Sequence, residues 1–195
     1  SIPTAPKVID VDADGIADAI YFGDLGGQLF RADINNSNAA ANDLVKRVKL
    51  LAKTGETVTA TSINKRRFFE PPSLALFKDS TGTTFATVAQ GSGYRSHPLN
   101  TTIDEHFYVF FDYDLPRKDL ISVDSSALQA VITNNDLVKL DLNSTVDQTN
   151  GVDVTGKKGW YVDLPESGEK SLAPSLTYKS KLLFSTYVPV VSGST

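Results

Sequence analysis

Asp10-Val11-Asp12-Ala13-Asp14-Gly15-Ile16-Ala17-Asp18 places four carboxylates at the first, third, fifth and ninth positions of a nine-residue run. In an EF-hand-type loop, oxygens at those positions and the carbonyl at the seventh turn inward on one hard cation. The ligands here would be Asp10, Asp12, Asp14, Asp18 (directly or through a water) and the backbone oxygen of Ile16. Gly15 stands where the chain must turn sharply, which a residue without a Cβ does at least cost. An all-oxygen, multidentate set selects Ca²⁺ rather than zinc or copper. A solvated acidic turn is the competing reading, because Asp and Gly are ordinary loop residues. Four crowded carboxylates repel one another without a cation, so the expected cofactor is Ca²⁺.

Other chemistry is thin. The chain has two histidines, His97 and His106, and no cysteine. Ser92, His97 and Asp104 would make a Ser-His-Asp triad on paper, but Gly91-Ser92-Gly93 is not the G-x-S-x-G elbow. The two histidines with Asp104 and Glu105 lack the helical i,i+4 spacing of a metal motif. Asp141-x-Asn143-x-Thr145-x-Asp147 echoes a calcium loop without its glycine. Asp112-x-Asp114 reads as a solvated strand end and Lys65-Arg66-Arg67 as a solvated loop. Trp160, the only Trp, reads as a core or blade-capping residue. No Gly-rich loop has the strand–helix context of a phosphate cradle. The expectation is a protein that is not an enzyme, with no catalytic residue and no organic cofactor.

The elements around the loop are strands. The twelfth loop position, normally a bidentate Glu, is Tyr21, inside the β-prone run Ala19–Asp24. The loop therefore joins strands, and its affinity belongs at the weak, extracellular end, roughly 10⁻⁵ to 10⁻³ M. Pro6–Val11, Asp18–Asp24, Gln28–Asp33 and Val45–Ala52 read as four antiparallel strands, with Leu25-Gly26-Gly27 a tight turn and Asn35–Ala41 a polar loop. Four such strands make one propeller blade. The pattern restarts with Phe68–Phe77, Thr83–Gln90 and His106–Asp114, and Gly159–Leu164 closes that blade. Between them lies a long excursion, Leu115–Asn135, with a short helix expected over Ser125–Thr133 and Val138–Leu142 pairing nearby. Ala173–Tyr178 and Lys181–Tyr187 begin a third blade. The expected fold is all-β, a segment of a β-propeller with blades of four antiparallel strands and an incomplete ring. One domain over 1–195 would hold a calcium-loop blade at about 6–53, a second at about 66–165 and the start of a third at about 170–190.

Composition agrees with a globular piece of a longer protein. Apolar residues make up 41% of the chain, and no window reaches the length of a membrane span. The net charge of −4 equals the four loop aspartates, so the remainder is balanced. No basic stripe with interleaved aromatics marks a nucleic-acid partner. With no methionine and an extended Ser1–Pro6 lead-in, the chain reads as a segment of something larger.

The run Asp10-x-Asp12-x-Asp14-Gly15-x-Ala17-Asp18-x-x-Tyr21-x-Gly23-Asp24-x-x-Gly27-x-Leu29-x-Arg31-x-Asp33 resembles the C-terminal propeller of PilY-type proteins of type IV pilus tips, which are biogenesis factors and adhesins. Gly91-Ser92-Gly93-Tyr94-Arg95-Ser96-His97-Pro98-Leu99, Phe107-Tyr108-x-x-x-Asp112, Gly159-Trp160-Tyr161-x-Asp163-Leu164 and Phe184-x-Thr186-Tyr187-x-Pro189 continue the resemblance in order. That propeller is similar to quinoprotein dehydrogenases. The resemblance implies export through the periplasm and outer membrane to the pilus tip or cell surface. It implies minor pilins and the tip complex as partners, contact with host or abiotic surfaces, and calcium control of extension and retraction, hence of twitching motility and adhesion. Two rival readings remain: a propeller that binds glycans or a host receptor, and a degenerate quinoprotein-like dehydrogenase.

Overall fold

The computed structural model describes residues 1–37, 43–55, 66–141 and 154–190. Its first sheet is an antiparallel meander of β1 (Lys7–Ile9), β2 (Ala19–Gly23), β3 (Gln28–Ile34) and β4 (Val45–Lys53), in chain order. Asp24 builds the β2–β3 turn, its Oδ1 accepting from the Gly26 and Gln28 N–H groups at 2.8 and 2.9 Å. Register places Tyr21, Arg31 and Lys49 on one face. Ile20, Ala32 and Val48, with Phe22, Phe30 and Leu50, lie on the other.

The second sheet has the order β5-β6-β7-β9-β8, built from β5 (Ser73–Lys78), β6 (Thr84–Gly91), β7 (His106–Asp112), β8 (Val138–Leu140) and β9 (Gly159–Asp163). β8 joins β9 in parallel, so this sheet has a fifth strand beyond the four antiparallel ones expected. A hairpin follows, β10 (Leu176–Tyr178) and β11 (Lys181–Leu183). Lys179 and Ser180 both have positive φ there, 47° and 59°, as a two-residue turn matched to strand twist requires.

Two cores sandwich the second sheet. Tyr108 and Phe110 of β7 enter the first, with Tyr21, Leu29, Leu51, Phe68 and Val88. Leu115, Leu120, Leu128 and Ile132 of the excursion complete it. Phe107, Val109 and Phe111 enter the second, with Phe85 and Val162, against Trp160, Leu182 and Phe184. Burial on both sides explains why β7 is an almost unbroken apolar run, where a half-exposed strand would alternate.

Three elements differ from expectation. The strand expected from Phe68 begins only at Ser73. Pro71 and Pro72 have no N–H to give a ladder, and Phe68 turns away to meet Tyr108 edge-on at 6.1 Å. The helix expected over Ser125–Thr133 is a single 3₁₀ turn at Ser125–Ala127, capped by Asp124. Most of the Asp141–Asp147 echo and part of the Asn35–Ala41 loop lie outside the described residues.

Candidate metal centre

The acidic loop spans the β1–β2 connection, and both ends are pinned by backbone bonds. The Asp18 N–H donates to the Ile9 carbonyl at 2.9 Å, and the Ile34 N–H of β3 donates to the Asp18 carbonyl at 2.9 Å. Within the loop, Asp10 accepts from the Ala13 N–H (2.7 Å) and the Gly15 N–H (2.8 Å). The Gly15 N–H outweighs the opposing effect of burial and, with a smaller contribution from the Ala13 N–H, holds the Asp10 carboxyl below its usual range. The loop turns through Ala13 and Gly15, whose φ values of 63° and 87° are left-handed.

Asp10, Asp12 and Asp18 each offer one carboxylate oxygen, and those three atoms lie within 4.8 Å of one another. Such a group of hard oxygens suits Ca²⁺. Asp14 is not in this group; its Oδ1 accepts from the Ile16 N–H at 2.7 Å. Ile16 keeps its place in the turn, its side chain about half exposed. Asn36, from the segment after β3, reaches over with Nδ2 2.9 Å from the Ala17 carbonyl and 3.3 Å from Asp18 Oδ1. A 230 Å³ cleft opens beside the loop between Asp12, Asp18, Ile34, Arg117, Lys118 and Leu120.

Tyr21, at the twelfth position, is fully buried and donates its hydroxyl to Asp112 Oδ2 at 2.9 Å. It belongs to a buried ionic network that sequence reasoning missed. Arg31 Nε meets Asp33 Oδ1 at 2.6 Å, and its Nη1 meets both Asp112 oxygens at 2.6 Å. Lys49 binds Asp114 at 2.7 Å, and Arg47 pairs with Asp33 at 3.1 Å while donating to the Leu120 carbonyl at 2.6 Å. Asp112 and Asp114 were expected at a solvated strand end; they are instead 0% and 4% exposed, because the first sheet packs onto them. Burial opposes the Arg31 charge, yet Asp112 and Asp33 more than offset it and raise its pKa. Burial, and then Asp112, raises the Tyr21 phenol well above its ordinary value. The period-2 pairs Arg31/Asp33, Arg47/Lys49 and Asp112/Asp114 were the available signal. The first two each place two charges on one strand face, and the third sits at the end of β7.

The paper triad is not assembled. Ser92 Oγ is buried and donates to Glu105 Oε2 at 2.6 Å. His97 is exposed and its ring lies 4.5 Å from that of Tyr94. His106 stacks on Tyr161 at 5.0 Å, with Arg66 2.8 Å from its Nε2. Trp160 is half-buried against the second core, as a core-facing tryptophan should be.

No protein-family model matches the chain. It is 24% identical over 193 residues, 95% of its length, to the type IV pilus biogenesis factor PilY1 homolog of Xylella fastidiosa, and spans 13% of that protein. The crystal structure of the Pseudomonas aeruginosa PilY1 C-terminal domain matches 95% of this chain and 44% of its own, with a TM-score of 0.62 and 21% identity. The chain thus has the fold of a PilY-type C-terminal domain, in agreement with the resemblance its motifs carry. Among the described residues no helix is long and apolar enough to cross a membrane.

Proposed function

We propose that this chain is a calcium-binding propeller segment of a type IV pilus-tip protein, exposed outside the cell, where the occupied loop supports pilus biogenesis and tunes extension against retraction. The observation that carries the calcium reading is the convergence of Asp10, Asp12 and Asp18 oxygens within 4.8 Å, on a loop whose ends are fixed by two strands. The pilus reading rests on the similarity to PilY1 proteins. Bound Ca²⁺ would supply charge neutralisation at the loop. Asp10, Asp12 and Asp18 would hold it, with Asp14 and the Ile16 carbonyl as the remaining loop donors. Minor pilins and the tip complex are the partners this reading implies, and twitching and surface adhesion are its outputs.

The experiment is done in a bacterium that makes retractable pili, with the loop changed in its full-length protein. Asp12→Ala removes one anionic ligand, whereas Asp12→Lys puts an ammonium beside Asp10 and Asp18 and imitates neutralisation without multidentate geometry. The Ala variant should reproduce chelator-treated cells in surface pilus count and twitching. The Lys variant should become insensitive to chelator. If both variants match the parent with and without chelator at equal protein level, the loop has no regulatory role.

A further inference from the structure

At the far end of the second sheet from the acidic loop lies a buried polar cluster that plays no part in the metal reading. Glu105, 1% exposed, immediately precedes β7. Its Oε2 accepts from Ser92 Oγ at 2.6 Å, while Oε1 has no hydrogen-bond partner among the described residues. Lys170, also 1% exposed, lies on the segment that leads to the C-terminal hairpin. Its ammonium donates to two neutral acceptors, the carbonyls of Asn100 and Gly168, each at 2.5 Å.

This cluster is where the hairpin segment is fastened. The Ser171 N–H donates to the Ser92 carbonyl at 3.0 Å, and Lys170 and Tyr187 exchange backbone bonds of 2.9 and 2.8 Å. The approach is close: a Cβ on Gly91 would lie 2.2 Å from Ser171 Oγ. Beyond it, Phe184 stacks on Phe107 at 4.1 Å, and Leu182 and Thr177 line a 150 Å³ pocket with Trp160.

We propose that Glu105 is the trigger of a pH-sensitive clasp that holds residues 166–187, including the β10–β11 hairpin, on the second sheet. A buried carboxylate with one hydroxyl partner is poorly compensated, whereas the neutral acid needs fewer bonds. The groups facing it are Ser92 just after β6, Lys170 on the fastened segment, Arg66 and Arg67 on the segment before β5, and His106 and Tyr108 in β7, which it precedes. The cations have other work: Arg66 meets His106, Arg67 lies 3.8 Å over the Tyr94 ring, and Lys170 holds carbonyls. Burial outweighs Ser92 and these cations and pushes the Glu105 carboxyl up to about 7. The sign follows. Closure is fully favoured in acid and weakens as pH rises from the ordinary carboxyl range through about 7. In that window the closing constant falls by up to about tenfold per pH unit. Ionised Glu105 recovers its hydration when residues 166–172 lift away.

Trp160 reports on the clasp, because it is the only tryptophan and packs beside Leu182. Its emission in the 195-residue chain should shift to the red with a midpoint between the ordinary carboxyl range and about 7. Glu105→Gln, neutral at every pH, should keep the blue emission throughout. Ser92→Ala should move the midpoint upward, because the Ser92 hydroxyl favours the ionised form. His106 is displaced the opposite way, below its ordinary value by burial and then Arg66, so its titration falls on the acid side. No transition in the parent chain overturns the proposal, as does one that persists unchanged in Glu105→Gln. Should that variant fail to fold, a midpoint that stays put or falls in Ser92→Ala overturns it equally.

Discussion

Arg31 is fully buried between Asp33 on its own strand and Asp112 on β7, and Tyr21 binds the same Asp112. Removing one partner of such a set leaves charges stranded away from water, which costs more than the intact pair contributes. Arg31→Met should therefore lower the unfolding free energy by about 3–5 kcal/mol, read from urea denaturation. Tyr21→Phe removes one donor and leaves Arg31 and the Asp114 and Leu115 N–H groups on Asp112, so its cost should be about 1–3 kcal/mol. A near-neutral Arg31→Met would mean that the network is not intact in solution. The acidic loop was legible at this scale because its carboxylates all lie within nine residues of sequence. The ionic network was not, because Arg31 and Asp112 are 81 residues apart and meet only when two sheets face each other.

Among the elements, β9 opens on a close backbone approach. Gly159 opens it with φ 139°, and a Cβ there would sit 2.1 Å from the Val109 carbonyl oxygen of the neighbouring strand. Gly159→Ala should cost about 2 kcal/mol or more and loosen β8 and β9 together. Gly82, at φ 83° with nothing within 4 Å of its Cβ position, is the control. Gly82→Ala carries only the left-handed penalty, about 1–2 kcal/mol. Equal effects in thermal melts would contradict the close approach at β9. The strands of the first sheet could be read from sequence because Gly26-Gly27 and the loop glycine punctuate alternating or β-branched runs. Val138–Leu140 pairs beside β9 within the stretch expected to pair there, but its parallel direction could not be read, since three residues carry too little period to fix a register. The excursion was expected to be helical over Ser125–Thr133. Tertiary bonds decided otherwise: Arg47 draws the Leu120 and Val123 carbonyls to β4, and Ile132 bonds Leu51 and Lys53 as a short parallel bridge.

For the whole molecule, the calcium site proposed above would sit at the junction of β1, β2 and β3, next to strands that carry the buried network into the second sheet. A ligand that binds only the folded chain stabilises it by mass action, about 2.7 kcal/mol at a hundred times its dissociation constant. Melting temperature should accordingly rise with calcium while the β-type circular dichroism stays unchanged. The most direct measurement is calorimetric titration of the metal-free chain with Ca²⁺ and with Mg²⁺, beside Asp12→Asn and Asp18→Asn. One calcium site should appear, with a dissociation constant of roughly 10⁻⁵ to 10⁻³ M, weaker magnesium binding, and loss of roughly tenfold or more in affinity in each variant. Absence of calcium binding at millimolar concentration, equal affinity for both ions, or binding unchanged in the two variants would contradict the proposed site.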